Sequence, residues 1–341
     1  MNEVFEKIKY LFQKKPVIVV TGEGRVLAKE AISLLIKDAL IFSLEDSQIK
    51  KSEFFLKPSP LSVLVVTHVG DIPFDRDYFA GEREKLKNTI ELAKNLSSKN
   101  YLVLNYDDET VREIDDLTNL HTFTFGFSER ANFFASDLKF NHGINFKVNY
   151  KGSVVPFWLE ETFGKEQIYS VLAAVAVGTI FGKNLIEISQ AMKNYKPLPG
   201  RMRLIDGINN SKILDDSESA TIFSMIEAIE ILGKIPGFKR KIAVLGDVIG
   251  VGKYTIEAHE SVGEKVAKNC DLLFTVGPRA KFIAKGAMEK GMDDFKIFSF
   301  DRVEDVIFKL KETIKSGDIV LVDGSKEMKM SEIVDQIRKI W

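Results

Sequence analysis

The feature that most constrains this chain is the run Val17-Ile18-Val19-Val20-Thr21-Gly22-Glu23-Gly24-Arg25-Val26, an apolar strand, a glycine turn and then a helix-forming stretch from Leu27 to Lys37. A fully apolar strand running through glycines into a helix predicts a buried, parallel-type strand of an α/β sheet, with the turn at the strand's carboxyl end. The same setting holds the phosphate-binding loop of nucleotide enzymes, in which backbone N–H groups cradle phosphates, a lysine reaches the outer phosphates and a hydroxyl sits on Mg²⁺. Here Arg25 stands near the lysine position and Val26, which cannot ligate a metal, stands at the hydroxyl position.

Strand runs at Val63–Thr67, Tyr101–Asn105 and Thr122–Phe125 alternate with helical stretches such as Arg83–Leu96, which predicts a mostly parallel sheet. Residues 2–14 place Val4, Phe5, Ile8, Leu11 and Phe12 on one helical face, closed by Pro16. Residues 144–158 read as a hairpin turning at Lys151-Gly152, and two helices follow from about Glu166 to Tyr195. Pro197-Leu198-Pro199-Gly200 stops both helix and strand, so a boundary is expected there, with domains at 1–197 and 198–341. Beyond it, strands at Ile242–Gly246, Leu272–Val276, Lys296–Phe298 and Ile319–Val322 alternate with helices at about 218–232, 256–268, 279–290, 302–315 and 329–339, a second α/β unit. Ser217 is placed to cap a helix opening at Glu218.

At 341 residues the chain can bury a sizeable core in two domains, and 48 basic against 49 acidic side chains give no net field to draw a nucleic acid or an anionic membrane. The single cysteine, Cys270, excludes an intramolecular disulfide, fits a reducing cytoplasm and reads as a packing residue. The longest apolar run, Val171 to Phe181, is too short to span a membrane, and the start reads as no signal peptide.

Five fragments then stand in order: Pro199-Gly200-Arg201-Met202; Ile213-Leu214-Asp215-Asp216-Ser217 with Ala220 and Ser224-Met225; Val244-Leu245-Gly246-Asp247 with His259 downstream; Leu272 to Gly277; and Val320-Leu321-Val322-Asp323-Gly324-Ser325. Together they resemble the Mur ligase family, and within it the MurF type that adds D-alanyl-D-alanine to a UDP-N-acetylmuramoyl-tripeptide. Leu104-Asn105-Tyr106-Asp107-Asp108 and Phe125-Gly126 with Ala131-Asn132 and Ala135-Ser136-Asp137 resemble that family's central ATPase domain. The resemblance implies a three-layer α/β central domain followed by a Rossmann-like α/β carboxyl-terminal domain. It implies ATP and Mg²⁺ as cofactors and amide-bond formation through an acyl phosphate. With only about 16 residues before the first strand, the family's UDP-sugar domain is expected to be missing.

By position, the resemblance carries nucleotide binding to Gly22, Gly24, Arg25, Arg201 and Asp216, a carbamylated lysine to Lys87, a catalytic histidine to His259 and a substrate contact to Ser325. Departures accompany these matches. The family's Gly-Lys-Thr is Gly24-Arg25-Val26; its metal-site histidine is Pro73, with His68 displaced; Glu53 is the candidate for its magnesium-binding glutamate. Its adenine-contacting helix start is Glu166-Gln167-Ile168-Tyr169-Ser170, its Tyr-Asn pair is Glu218-Ser219, and the lysine of its Lys-Gly-Ser is Asp323. Exchanging a cation for an anion beside a site for anions has the wrong electrostatic sign. Lys87 on a lysine-rich helix reads first as a solvated residue, and a lone helix-face histidine reads first as structural.

The expectation is therefore a cytoplasmic homologue that kept the scaffold and lost ATP hydrolysis, without a metal site, binding a cell-wall peptide or a true Mur ligase. Nucleic-acid binding and membrane insertion are not expected. A working amide ligase rebuilt on Arg25, Lys87, Arg201 and Asp216, and a pure interaction scaffold, are the alternatives.

Overall fold

In the computed structural model, residues 15–73, 78–218 and 220–339 are described, so the helix expected over 2–14 lies outside them. Two compact units are present: Met1–Leu138 with Asn145–Trp158 and Lys165–Tyr195, and Lys139–Ile144 with Leu159–Gly164 and Lys196–Trp341.

An eight-stranded sheet is built from β1 (Val17–Thr21), β2 (Leu40–Ser43), β3 (Ser62–Val66), β4 (Tyr101–Asn105), β5 (His121–Gly126), β6 (Phe133–Phe140), β7 (Gly143–Tyr150) and β8 (Ser153–Glu160). Its order is β2-β1-β3-β4-β5-β6-β7-β8, and the pairings from β2 through β6 are parallel. Every residue of β1 and β3 is buried, as an unbroken apolar run requires when both faces of a sheet are covered. On one face Val17, Val19, Leu64, Val66, Leu102 and Leu104 pack with Leu86, Ile90 and Ala93. Each Val, Leu or Ile side chain buried this way contributes about 1.5–3 kcal/mol.

The other face is covered by the helices Arg25–Leu35 and Lys165–Ile180, which pack on each other. Helix Lys165–Ile180 is buried from Gln167 to Gly178 with no polar stripe, so it lies inside the unit rather than on its surface. Gly178 permits the close approach: a Cβ there would meet Ile188 at 2.9 Å and Leu35 at 3.2 Å. Between β7 and β8 the two-residue turn Lys151-Gly152 adopts φ of 47° and 79°, the left-handed pair that matches hairpin twist.

The sheet of the second unit comprises β9 (Arg203–Asp206), β10 (Lys212–Asp216), β11 (Arg240–Gly246), β12 (Leu272–Val276), β13 (Ile297–Phe300) and β14 (Asp318–Asp323). The order is β13-β12-β11-β14-β10-β9, parallel except for β9 against β10. Ile213, Ile242, Val244, Phe274, Val320 and Val322 form its core with Val306 and Leu310 of helix Val303–Thr313 and Ile333, Val334 and Ile337 of helix Ser331–Ile337. Parallel register brings Asp216 of β10 beside Asp323 of β14, and Leu245 of β11 lies on its other side.

Three strands escape the sequence pattern. β2 has four residues and is only half-buried, β9 opens and closes on charges, and β6 carries Asp137 at φ 54°, which breaks its alternation. The cap expected at Ser217 is also corrected. Helix Ile222–Lys234 is capped by Thr221, whose Oγ1 accepts the Ser224 N–H while Ser224 Oγ accepts the Thr221 N–H. Ser217 Oγ instead donates to Asp215 Oδ1 at 2.7 Å, because β10 runs on to Asp216 and leaves Ser217 in a turn.

Candidate functional site

The loop after β1 is tied down from below. Glu23 N–H donates to His68 O at 2.7 Å, and the Thr67 hydroxyl donates to Thr21 O at 2.9 Å while also touching Glu23 O. Gly22, at φ 96°, has room for no side chain, since a Cβ would stand 2.6 Å from Thr67 Oγ1 and 2.7 Å from His68 O. Gly24, at φ 67°, precedes helix Arg25–Leu35 without a side-chain cap. Arg25 turns backward: Nη1 donates to Gly22 O at 3.2 Å and Nη2 pairs with Glu45 Oε1 at 2.9 Å.

Two electron-rich groups face Gly24. A Cβ added there would meet Glu166 Oε1 at 2.9 Å and His68 Nε2 at 3.3 Å. His68 is buried, and because its Nδ1 lies 3.0 Å from Gly70 O it donates there, leaving Nε2 a lone pair without a donor. The favourable field at the helix amino terminus is thus met by a carboxylate of the chain itself. Val26 offers no hydroxyl, and no group of three His, Cys, Asp or Glu among the described residues could hold a metal ion. Nucleotide phosphates, which require donors and a cation at this mouth, do not fit the residues present.

The resemblance-bearing acids of this unit hold backbone. Asp107 accepts from Phe127 N–H at 2.6 Å, Ser128 N–H at 3.1 Å and Tyr169 O–H at 2.9 Å. Asp108 accepts from Val69, Gly70, Thr110 and Val111 N–H groups at 2.7 to 3.3 Å. Lys87 is exposed at the start of helix Lys87–Asn95, and Glu53 pairs with Lys57 at 2.7 Å. Pro73 O accepts from Lys165 Nζ at 3.3 Å.

In the second unit the predicted residues gather at the carboxyl ends of β10, β11 and β14, where strand order reverses. Asp216, buried, accepts the Met202 N–H at 3.1 Å, one residue from half-buried Arg201. Asp247 accepts the Arg279 and Ala280 N–H groups at 2.9 and 2.7 Å, and Ser325 N–H donates to Asp247 O. Ser325 Oγ accepts the Ile249 N–H at 2.9 Å.

His259 is fully buried on helix Thr255–Asn269. Its Nε2 accepts the Val248 N–H at 3.1 Å, so Nδ1 carries the proton and donates to Thr255 O at 2.7 Å. Burial, the leading cause, pushes its pKa down, and this neutral tautomer has no nitrogen left for proton transfer. Burial also raises the Cys270 thiol, which removes it as a nucleophile.

Asp323 is fully buried with both carboxyl oxygens unpartnered. Burial raises its pKa well above the usual carboxylate range, and the Asp215 carboxylate acts in the same direction. The Gly324 amide acts in the opposite direction and is a smaller influence than burial. Glu166, His68 and Asp323 are the residues whose role position alone did not reveal. The signals available in the chain were their departures from the family's letters: the displaced His68, the changed helix start at Glu166 and the wrong-sign exchange at Asp323.

Comparison with known proteins finds two sequence profiles on this chain: the Mur ligase middle domain over residues 47–178 and the Mur ligase glutamate ligase domain over 200–326. The UDP-N-acetylmuramoyl-tripeptide–D-alanyl-D-alanine ligase of Bacillus subtilis is 25% identical over 276 residues, 80% of this chain and 58% of that protein. Its Escherichia coli counterpart is 30% identical over 181 residues, 52% of this chain and 38% of that one. The chain thus spans less than two thirds of these relatives. In fold, it resembles the MurF ligase from Thermotoga maritima in complex with ADP, with a TM-score of 0.73 at 20% identity, covering 98% of this chain and 83% of the other. It also resembles MurF from Acinetobacter baumannii, with a TM-score of 0.76 at 17% identity, covering 96% and 78%.

Proposed function

The chain belongs to the Mur ligase family, and from that premise we propose that it is a MurF-like homologue serving peptidoglycan precursor synthesis without ATP-dependent ligase activity. Its role on this reading is to bind a cell-wall peptide or an active ligase in the cytoplasm. Among the described residues no helix is long and apolar enough to cross a membrane, which accords with that setting.

The observation that carries the reading is the loop after β1: Arg25 is committed to Gly22 O and Glu45, while Glu166 and the His68 lone pair face Gly24. Phosphoryl transfer depends on cations and donors placed around the moving phosphate. A mouth lined by acceptors repels it. The preserved Asp107, Asp108 and Asp247 are accounted for by the backbone amides they hold, so their retention needs no nucleotide.

The test is thermal unfolding with and without millimolar Mg·ATP and Mg·ADP, alongside phosphate release. A ligand at about 100 times its Kd stabilises a native protein by roughly 2.7 kcal/mol. The expected result is no shift and no release; ATP turnover by the unaltered protein overturns the proposal.

A further inference from the structure

At the amino ends of its parallel strands the second unit gathers cations that the chain's formal charge of −1 conceals. Lys234 closes helix Ile222–Lys234 and Lys268 stands in the last turn of helix Thr255–Asn269. Lys239 precedes β11, Arg240 and Lys241 open it, and Lys315 leads toward β14. Contacts between these segments make them one surface. Lys239 N–H donates to Gly317 O at 2.8 Å, and a Cβ on Gly317 would meet Lys239 Cδ at 3.0 Å. Asp271 N–H donates to Lys241 O at 2.7 Å, Lys241 Nζ donates to Gly233 O, and a Cβ on Gly233 would strike Asn269.

The carboxylates on this face, Asp271 and Asp318, are already spent. Asp318 holds Arg240 in a two-bonded fork at 2.9 and 2.6 Å and accepts the Lys315 N–H at 2.7 Å, while Asp271 accepts the Lys241 N–H at 2.7 Å. Lys239, Lys268 and Lys315 are exposed, and among the described residues none of them finds an acid. The surplus is bounded: Asp206 pairs with Lys212 at 2.7 Å on one flank, and on the other Asp293 and Asp294 stand with Lys296. Helix carboxyl ends draw Lys234 and Lys268, but Lys239 lies a whole loop beyond such an end.

The chemistry of the face selects among anionic partners. Its one arginine is committed to Asp318 and the Thr313 carbonyl, and Phe238 is half-buried, so neither a guanidinium fork nor an open aromatic ring is offered to a nucleic acid. An acidic peptide would be held through backbone groups, and the loop amides of Lys239, Lys241, Asp271, Lys315 and Gly317 already have acceptors within the unit. What is left is diffuse charge on flexible lysine stems, which suits a layer of charges better than a single ligand. We infer that this face docks on a surface of anionic phospholipid headgroups, with no segment entering the hydrocarbon. Each lysine at such a surface strengthens attachment about fivefold, and the attraction fades within a Debye length of about 8 Å at physiological salt. The face lies apart from the loop after β1, so nucleotide binding there would overturn the proposed function and leave this inference standing.

The experiment sediments the full chain with vesicles of equal parts phosphatidylglycerol and phosphatidylcholine, and with vesicles of phosphatidylcholine alone. Binding to the mixed vesicles is expected to be at least tenfold tighter, and to vanish in salt of about 1 M, where the Debye length is about 3 Å. Replacing Lys239, Lys268 and Lys315 together by Gln should weaken binding to the mixed vesicles at least tenfold with an unchanged melting temperature. Replacing Lys85, Lys94 and Lys99 by Gln removes the same charge from exposed positions of the first unit and should leave binding within twofold of the wild type. Where the first triple variant does not fold, Lys239→Glu alone should weaken binding at least fivefold. The inference is overturned if the wild type binds neither vesicle or both equally, or if the two triple variants lose binding alike. It is overturned too if polyglutamate or polyuridylate binds more tightly than the mixed vesicles, which would give the face to an acidic protein or a nucleic acid.

Discussion

At the scale of single residues, protonation separates structural from chemical roles. His259 stays neutral in the fold because burial opposes its charge and the Val248 N–H occupies Nε2. The unfolded imidazole takes up a proton below about pH 6.5 while the native one resists. Stability should therefore be full above that pH and fall progressively as pH drops below it. Urea unfolding across this pH should show the fall, and its pH-dependent part should shrink in His259→Gln. Asp323 has the opposite consequence. Its native carboxyl keeps a proton that the unfolded chain releases above about pH 4, so the folded state loses stability as pH rises toward the native pKa. Asp323→Asn should raise the melting temperature at pH 7.5 and lose that advantage near pH 4. Equal melting temperatures at both pH values would mean the buried carboxyl is not the group responsible.

At the scale of elements, the motif acids act as staples between loops and helix starts. Asp108 caps the short helix Glu109–Arg112 through the Thr110 and Val111 amides and holds the chain after β3 through Val69 and Gly70. Removing it in Asp108→Ala leaves four amides without their acceptor. That should cost on the order of 3 kcal/mol, since buried groups left unsatisfied cost about 1–3 kcal/mol each and water recovers part. Chemical denaturation followed by circular dichroism measures it; a loss below about 0.5 kcal/mol, the ordinary effect of a surface substitution, would contradict the role. These strands and helices were readable because burial on both faces leaves unbroken apolar runs and helices keep a 3.6-residue period. β9 was not readable, because a four-residue strand with Arg203 and Asp206 at its ends has no apolar pattern and forms only by pairing with β10.

At the scale of the whole molecule, the second unit is not a contiguous stretch of chain. It includes 139–144 and 159–164, and Leu204 N–H donates to Glu161 O while Phe163 N–H donates to Met202 O beside β9. A fragment of residues 198–341 loses that support along its edge strand. It should unfold at lower denaturant than the same unit within the full chain, and fragment stability equal to the parent would show that the two segments contribute nothing. Cutting at Pro197 would therefore divide the sequence without cleanly dividing the packing.

By itself the sequence determined the α/β class, the strands that are continuous apolar runs, the hairpin turn at Lys151-Gly152 and the membership signalled by ordered fragments from Pro199 to Ser325. Those properties are local, or repeat with the period of one element. Only the tertiary structure decided where the side chains of the loop after β1 are spent. Glu166 and His68 reach Gly24 from distant segments, and Arg25 finds Glu45 across the sheet edge. It alone also placed Asp323 beside Asp216. Electrostatic fit is a property of distances between groups far apart in the chain. A motif can show which letters changed, but only packing decides which atoms then face the site.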